Sequence, residues 1–215
     1  MSANDKLHGG QPVLTAGVPA AQARVGVVLV HGRGASASDM LTLAAEFNQP
    51  AAAYWAPQAA NRTWYPYRFM EPLEANEPWL SSALDKVGAV LAQVAAAGRP
   101  PEKTVLLGFS QGACLATEYV ARHAQRYGGV VGLSGGLLGP DETPRDYPGS
   151  LAGTPVFLGC SDVDPHIPAA RVEHSAAVLR KLGGAVTARL YHNMAHTVNS
   201  DEVRWVQALL AELTG

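Results

Sequence analysis

A serine that could act as a nucleophile lies where a predicted strand meets a predicted helix. Residues 104–108 are mostly apolar, Gly108-Phe109-Ser110-Gln111-Gly112 follows, and a helical pattern begins at Ala113. A G-x-S-x-G pattern in this context puts the serine hydroxyl on a sharp turn, where the helix N-terminus can stabilise a developing oxyanion. The bland alternative is a chance match, and the flanking strand and helix argue against it. We therefore predict that Ser110 attacks acyl compounds.

A histidine further along the chain is needed as the general base. In folds that carry the nucleophilic serine on such a strand-to-helix turn, the catalytic residues follow one another along the chain as Ser, then Asp or Glu, then His. His123 and His174 lie in helical stretches, and His166 follows Asp164-Pro165 with no strand between acid and base. His192 abuts a predicted strand, whereas His196 lies deeper in the loop before the last helix. Because the base must reach over the end of a sheet from a loop, we favour His196.

The acid follows the predicted strand at residues 156–159. Asp162 and Asp164 both lie in the loop after this strand, and either could orient an imidazole. Asp141 and Asp146, after the preceding strand, are weaker candidates. Spacing alone leaves Asp162 and Asp164 as open alternatives.

Four segments of the chain together resemble the signature blocks of the phospholipase/carboxylesterase family of α/β-hydrolases, which includes acyl-protein thioesterase-like small serine esterases. In chain order they are His31-Gly32-x-Gly34, Gly108-Phe109-Ser110-Gln111-Gly112, Asp162-x-Asp164-Pro165-x-Ile167-Pro168 and Tyr191-x-x-Met194-x-His196. The resemblance implies that Ser110, Asp164 and His196 are catalytic. It also implies that the backbone N–H groups of Arg33 and Gln111 form the oxyanion hole.

The chain departs from the family pattern at a few positions. Ala113 and Ala195 replace glycines that are common in the family, which are small changes. His166 replaces what is often an aliphatic residue, and Arg33 stands where several members have an apolar one. These two departures could alter substrate choice.

Substrate contacts are expected from an aromatic segment and from residues near the acid. Residues 64–70 would form an apolar wall beside Ser110, although the same side chains could instead pack the loop onto the domain. Trp64 matches an aromatic residue that family members place beside the active site. A substrate carboxylate could pair with Arg33 or Arg68, but solvated arginines are the commoner case. The expected substrate-binding residues are Trp64, Tyr65, Leu137, Leu138 and Ile167.

The elements that must position these residues alternate in type along the chain. Short β-branched runs alternate with helical stretches, which predicts a mostly parallel sheet with helices on both faces. We expect one α/β-hydrolase domain over residues 1–215, with no large cap domain. Two irregular stretches, residues 59–78 and 134–153, follow strands and should lie at the carboxyl edge of the sheet. The predicted strands are residues 12–17, 25–30, 52–56, 104–108, 130–133, 156–159 and 186–191.

Composition narrows the class of partner. The chain has 215 residues, 47% of them hydrophobic, and a formal net charge of -2. The sequence has no basic run of the kind that indicates nucleic-acid binding. We recognise neither a signal peptide nor an apolar span in it, and therefore expect no stable membrane association. Cys114 and Cys160 are too few for a disulfide framework, which favours a cytoplasmic location. A homodimer is compatible with the sequence.

These observations predict a carboxylesterase or related acyl hydrolase. The expected substrate is a small-molecule ester with a short to medium acyl group, with thioesters and lysophospholipids as alternatives, and the chemistry needs no metal or organic cofactor. The alternative from another class is a non-catalytic protein of the α/β-hydrolase fold that binds a small molecule. Such proteins usually lose a member of the triad, whereas all three residues are present here.

Overall fold

Seven strands form one sheet in the computed structural model, which describes residues 7–215 of the chain. β1 pairs antiparallel with β3, and every other pairing is parallel. The order across the sheet is β1-β3-β2-β4-β5-β6-β7. The mostly parallel sheet is confirmed, and each predicted strand agrees with the observed one to within two residues. The strands are β1 (Val13–Gly17), β2 (Val25–Val30), β3 (Ala52–Pro57), β4 (Thr104–Phe109), β5 (Gly129–Leu133), β6 (Pro155–Ser161) and β7 (Ala185–Tyr191).

Helices cover both faces of this sheet. In β2, Val25, Val27 and Leu29 point into one apolar cluster, and Val28 and Val30 point into another. Because both faces of the strand are covered, all six residues of β2 are buried, which explains its continuous apolar sequence. The first cluster includes residues of α1 (Ala37–Ala45) and α5 (Ser200–Thr214). The second includes residues of α2 (Trp79–Ala96), α3 (Gln111–Arg122) and α4 (Ala169–Lys181).

Two helices begin with reciprocal caps that the sequence indicates. Before α1, the Ser36 hydroxyl accepts the Asp39 N–H, and the Asp39 carboxylate accepts the Ser36 N–H. Before α5, the Asn199 side chain accepts the N–H groups of Asp201 and Glu202, and the Glu202 carboxylate accepts the Asn199 N–H. These bonds satisfy N–H groups that have no partner within the helix.

The carboxyl ends of the parallel strands meet at one edge, and the candidate residues follow them. Ser110 follows β4, Asp164 follows β6 and His196 follows β7. The two irregular stretches follow β3 and β5, as predicted, and they are joined where the Gly139 N–H donates to the Phe69 carbonyl (2.8 Å). Within residues 7–215, no helix has the length and apolar character needed to cross a membrane.

A glutamate is buried at the start of α5. The Glu202 side chain is fully buried, and one carboxyl oxygen accepts the Asn199 N–H (2.8 Å). The other oxygen lies against Gly159 of β6 and has no hydrogen-bond partner within residues 7–215. Burial raises the pKa of Glu202 to about 7 from an ordinary value of 4.5. The folded protein therefore retains a proton here at pH values where the unfolded chain has lost it.

This buried carboxyl predicts a pH-dependent gain in stability for Glu202→Gln. The folded pKa lies above the unfolded one, so Glu202 loses stabilising effect as pH rises from about 4.5 to 7. Relative to wild type, the melting temperature of Glu202→Gln should rise by a few degrees across that window and stay constant above it. Thermal denaturation from pH 5 to 8 measures this. Glu212→Gln, an exposed position on the same helix, is the control, and a difference as flat as the control's would contradict the prediction.

Candidate active site

Ser110 lies on a strained turn between β4 and α3. Its φ of 54° and ψ of −119° are unusual for a residue other than glycine. The chain must also pass very close to its neighbours here, since a Cβ at Gly108 would lie 2.2 Å from the Gly112 carbonyl oxygen. A Cβ at Gly112 would lie 2.1 Å from the Val30 carbonyl oxygen. Both glycines are therefore required by close backbone contact.

Three side chains from different loops form a continuous hydrogen-bonded relay. His196 Nε2 lies 2.9 Å from Ser110 Oγ, and His196 Nδ1 lies 2.7 Å from Asp164 Oδ2. A carboxylate only accepts hydrogen bonds, so Nδ1 carries the proton and Nε2 is free to accept the serine proton. This arrangement can activate a hydroxyl as a nucleophile.

Asp164 is held in place as a buried carboxylate. Its side chain is fully buried, and its second oxygen accepts the backbone N–H groups of His166 (2.8 Å) and Ile167 (3.0 Å). Burial by itself would raise the pKa of Asp164. The hydrogen bonds from His196, His166 and Ile167 outweigh that effect and hold this pKa below its usual value. Asp164 is therefore charged at neutral pH.

A second histidine–aspartate pair lies at the surface. His192 Nδ1 is 2.9 Å from Asp162 Oδ2, and the His192 side chain is 93% exposed. The other Asp162 oxygen accepts the Asn193 N–H (2.8 Å), which ties the β6–α4 loop to the β7–α5 loop. Of the two alternatives that spacing left open, Asp164 is the one that contacts the histidine facing Ser110. Asp141 bonds to Arg171 (2.6 Å) instead.

Two rings pack against His196. Phe109 lies 5.1 Å from it between ring centroids, and the exposed His166 meets it edge-on at 4.9 Å. These contacts limit how the imidazole can turn. The packing role of Phe109 was missed in the sequence, because the x between Gly and Ser carries no signal of its own. His166 was recognisable as a departure from the family pattern.

The backbone N–H groups of Arg33 and Gln111 are available to bind an anion. Neither donates to any acceptor within residues 7–215, and Gln111 begins α3, where N–H groups have no acceptor within the helix. The side chains of both residues bond to the aromatic segment. Arg33 donates to the carbonyls of residues 65–67, and Gln111 accepts the Trp64 N–H (2.9 Å) and donates to the Tyr65 carbonyl (2.8 Å). Arg33 is an exposed residue, but its guanidinium is already engaged by these three carbonyls rather than free for a substrate carboxylate.

A cavity of about 660 Å³ opens beside Ser110 and His196. Tyr65 and Ile167, two of the expected substrate-binding residues, line it, together with Tyr67 and Phe69. Its volume suits a small organic molecule. Arg68 also lines it, and no hydrogen bond from its guanidinium occurs within residues 7–215.

Trp64, Leu137 and Leu138 do not line this cavity, contrary to expectation. All three are at most 1% exposed and belong to the apolar cluster behind the cavity wall. The Trp64 indole N–H donates to the His31 carbonyl (2.9 Å) and the ring packs against His8 and His31. An apolar ring whose one donor is satisfied inside the protein packs the loop onto the core, which is the alternative that the sequence left open.

The cysteines are buried free thiols. Burial raises the pKa of Cys114 and of Cys160 to about 12, so both remain protonated. The Cys160 thiol donates to Asp164 Oδ2 (3.6 Å). Within residues 7–215, no group of three or more His, Cys, Asp and Glu side chains is placed to hold a metal ion.

A sequence model of the phospholipase/carboxylesterase family matches residues 13–214. The chain belongs to this family. A crystal structure of a phospholipase/carboxylesterase from Dyadobacter fermentans has a TM-score of 0.90 and 40% sequence identity, covering 94% of this chain and 97% of that chain. The family resemblance and the α/β-hydrolase fold expected from the sequence are therefore confirmed.

Two curated relatives match a shorter segment of the chain. The acyl-protein thioesterase 1 of Gibberella zeae is 32% identical over 122 residues, which span 53% of this chain and 49% of the relative. The acyl-protein thioesterase 1 of Saccharomyces cerevisiae is 33% identical over 100 residues, which span 46% of this chain and 39% of the relative. The chain thus spans about half or less of the length of these relatives.

Proposed function

We propose that this protein is a serine hydrolase that cleaves carboxylic esters of short to medium acyl groups. The observation that carries the proposal is the relay from Ser110 through His196 to the buried Asp164, with contacts of 2.9 and 2.7 Å. Membership of the phospholipase/carboxylesterase family supports the same chemistry. The free thiols of Cys114 and Cys160 fit a reducing compartment, and on that ground we propose a cytoplasmic location.

The proposed mechanism has two acyl-transfer steps. His196 Nε2 takes the proton from Ser110 as Oγ attacks the carbonyl carbon, and Asp164 stabilises the imidazolium that forms. The N–H groups of Arg33 and Gln111 donate to the tetrahedral oxyanion, with each donor contributing about 3 kcal/mol to the barrier reduction. His196 then protonates the departing alcohol, which leaves the acyl group on Ser110. His196 next takes a proton from water as the water oxygen attacks the acyl carbon. It then returns that proton to Ser110 Oγ as the bond from Oγ to the acyl carbon breaks and the carboxylic acid leaves.

The apolar part of the cavity favours an acyl or aryl group of limited size. Tyr65, Tyr67, Phe69 and Ile167 provide this surface, and Tyr67 is 58% exposed. A wall that remains open to solvent desolvates only a few methylenes, each worth about 0.8 kcal/mol when fully buried. Thioesters and lysophospholipids present the same reactive carbonyl, so we keep them as alternative substrates.

Substitution of the nucleophile tests the proposal. Ser110→Ala should lower kcat for p-nitrophenyl butyrate by about 10⁴ to 10⁶, because the attacking oxygen is lost. Ser38→Ala, at an exposed position of α1, is the control. Activity of Ser110→Ala within tenfold of wild type would refute catalysis by Ser110, and wild-type protein with no activity toward any ester or thioester would favour the small-molecule binding alternative.

The two aspartates of the β6–α4 loop should differ in importance. Asp164→Asn should lower kcat by about 10³ to 10⁴, because an amide no longer selects the imidazole tautomer that accepts the serine proton. Asp162→Asn is the matched control: its amide oxygen can still accept the Asn193 N–H, so kcat should fall less than tenfold. Steady-state kinetics of both variants decides, and a larger loss in Asp162→Asn would show that the acid is misassigned.

The dependence of rate on acyl length tests the proposed role of the apolar cavity surface. For p-nitrophenyl esters, kcat/KM should rise by up to about fourfold per methylene over the shortest chains and level off or fall at medium length. Because Trp64 lies in the core, Tyr67→Ala is the appropriate probe, and it should flatten the rise. Val163→Ala, also an exposed apolar side chain, should preserve it. A rate that still climbs with long acyl chains, or a Tyr67→Ala profile equal to wild type, would contradict this view of the wall.

A further inference from the structure

The Arg33 side chain links two parts of the site. One is the turn on which Arg33 itself lies, and the other is the wall of the cavity. We call residues 31–34 the oxyanion turn and residues 65–67 the cavity wall. The two Arg33 Nη atoms donate to three successive carbonyls, those of Tyr65 (2.9 Å), Pro66 (2.8 Å) and Tyr67 (2.7 Å). A guanidinium has a planar set of N–H donors that can engage several acceptors at once, which a lysine ammonium cannot do in the same fixed geometry.

Other bonds also hold this segment, but within residues 7–215 Arg33 alone provides hydrogen bonds that join its tip, Pro66 and Tyr67, to the oxyanion turn. The Gly34 N–H donates to the Arg62 carbonyl (2.8 Å), and the Trp64 indole donates to the His31 carbonyl (2.9 Å). Gln111 binds both the Trp64 N–H and the Tyr65 carbonyl. Within residues 7–215, the carbonyl of Pro66 accepts a hydrogen bond from Arg33 alone. The Tyr67 N–H donates to the Asn76 side chain (2.8 Å), which anchors the tip to residues 73–76 and not to the oxyanion turn. The hydrogen-bonded link between the tip and the oxyanion turn therefore runs through Arg33.

We infer that Arg33 is a positioning residue, whose guanidinium fixes the cavity wall against the oxyanion turn so that the wall and the oxyanion donor keep one relative geometry. The inference rests on the proposed function and deepens it. A substrate held against the wall then presents its carbonyl oxygen to the N–H groups of Arg33 and Gln111. Small displacements of a bound substrate from its reactive position can cost about a hundredfold in rate.

Replacement of Arg33 should spare the fold. The bonds to Pro66 and Tyr67 are exposed, so water can replace the guanidinium at these carbonyls, and the remaining bonds of residues 62–65 are untouched. The effect should therefore be seen in the rate and in local opening of the segment rather than in global unfolding.

Three variants separate the effect of the Arg33 hydrogen bonds from the effect of its positive charge. Arg33→Met removes the hydrogen-bond donors and leaves a side chain of similar length. Arg33→Lys retains the positive charge but lacks the planar set of N–H donors. Arg62→Met removes a charge from the same loop, where the Arg62 guanidinium is exposed and forms no hydrogen bond within residues 7–215. The readouts are kcat and KM for p-nitrophenyl butyrate, together with hydrogen exchange of residues 62–69, in which the Trp64 and Tyr67 N–H groups are both bonded.

If the hydrogen bonds of Arg33 act as a clamp that holds the cavity wall to the oxyanion turn, Arg33→Met should lower kcat by roughly ten- to a hundredfold. The change in KM should be smaller, and the amides of residues 62–69 should exchange faster. Arg33→Lys should resemble Arg33→Met, and Arg62→Met should resemble wild type. Wild-type kcat in Arg33→Met would overturn the inference, as would wild-type behaviour of Arg33→Lys beside an impaired Arg33→Met, because charge alone would then be sufficient. Activity retained by Ser110→Ala would refute the proposed function without deciding the role of Arg33. In that case, unchanged hydrogen exchange of residues 62–69 in Arg33→Met would overturn the positioning role of Arg33.

Discussion

The close approach of the chain at Gly108 and Gly112 is the constraint on which the rest of the site depends. With a side chain at Gly112, α3 could not lie against the end of β2, because its Cβ would meet the Val30 carbonyl oxygen at 2.1 Å. That contact brings Ser110 next to the oxyanion turn, although the two are far apart in sequence. The strained conformation of Ser110 is maintained by this packing.

The parallel sheet converts this local constraint into a site. Because β2, β4, β6 and β7 end at one edge, the segments that follow them meet without a long excursion of the chain. His196 and Asp164 are carried on neighbouring loops, and Asp162 joins those loops by accepting the Asn193 N–H. Hydrogen bonds from His196 and from two backbone N–H groups hold the pKa of the buried Asp164 below its usual value. The Asp164 carboxylate is thus held by N–H groups of its own loop as well as by His196.

The elements of the fold were predictable where local sequence and burial agree. Strands such as β2 are apolar along their whole length because they are covered on both faces, and the caps of α1 and α5 follow from short polar patterns. The side chains of the aromatic segment were less predictable. Trp64 and Tyr67 lie three residues apart in similar sequence, yet one is fully buried and the other is 58% exposed. Their difference depends on partners distant in sequence, His8 and His31 for Trp64. Leu137 and Leu138 were misplaced for the same reason.

Ser110 is the proposed nucleophile, and covalent labelling tests its activation most directly. Wild-type protein is incubated with a fluorophosphonate, which reacts with a serine whose proton is accepted by a neighbouring base, and the adduct is located by intact mass and peptide mapping. We expect one adduct per chain, on the peptide that contains Ser110, and a loss of labelling when His196 is replaced by alanine. Unlabelled wild-type protein, or an adduct on any other residue, would contradict it.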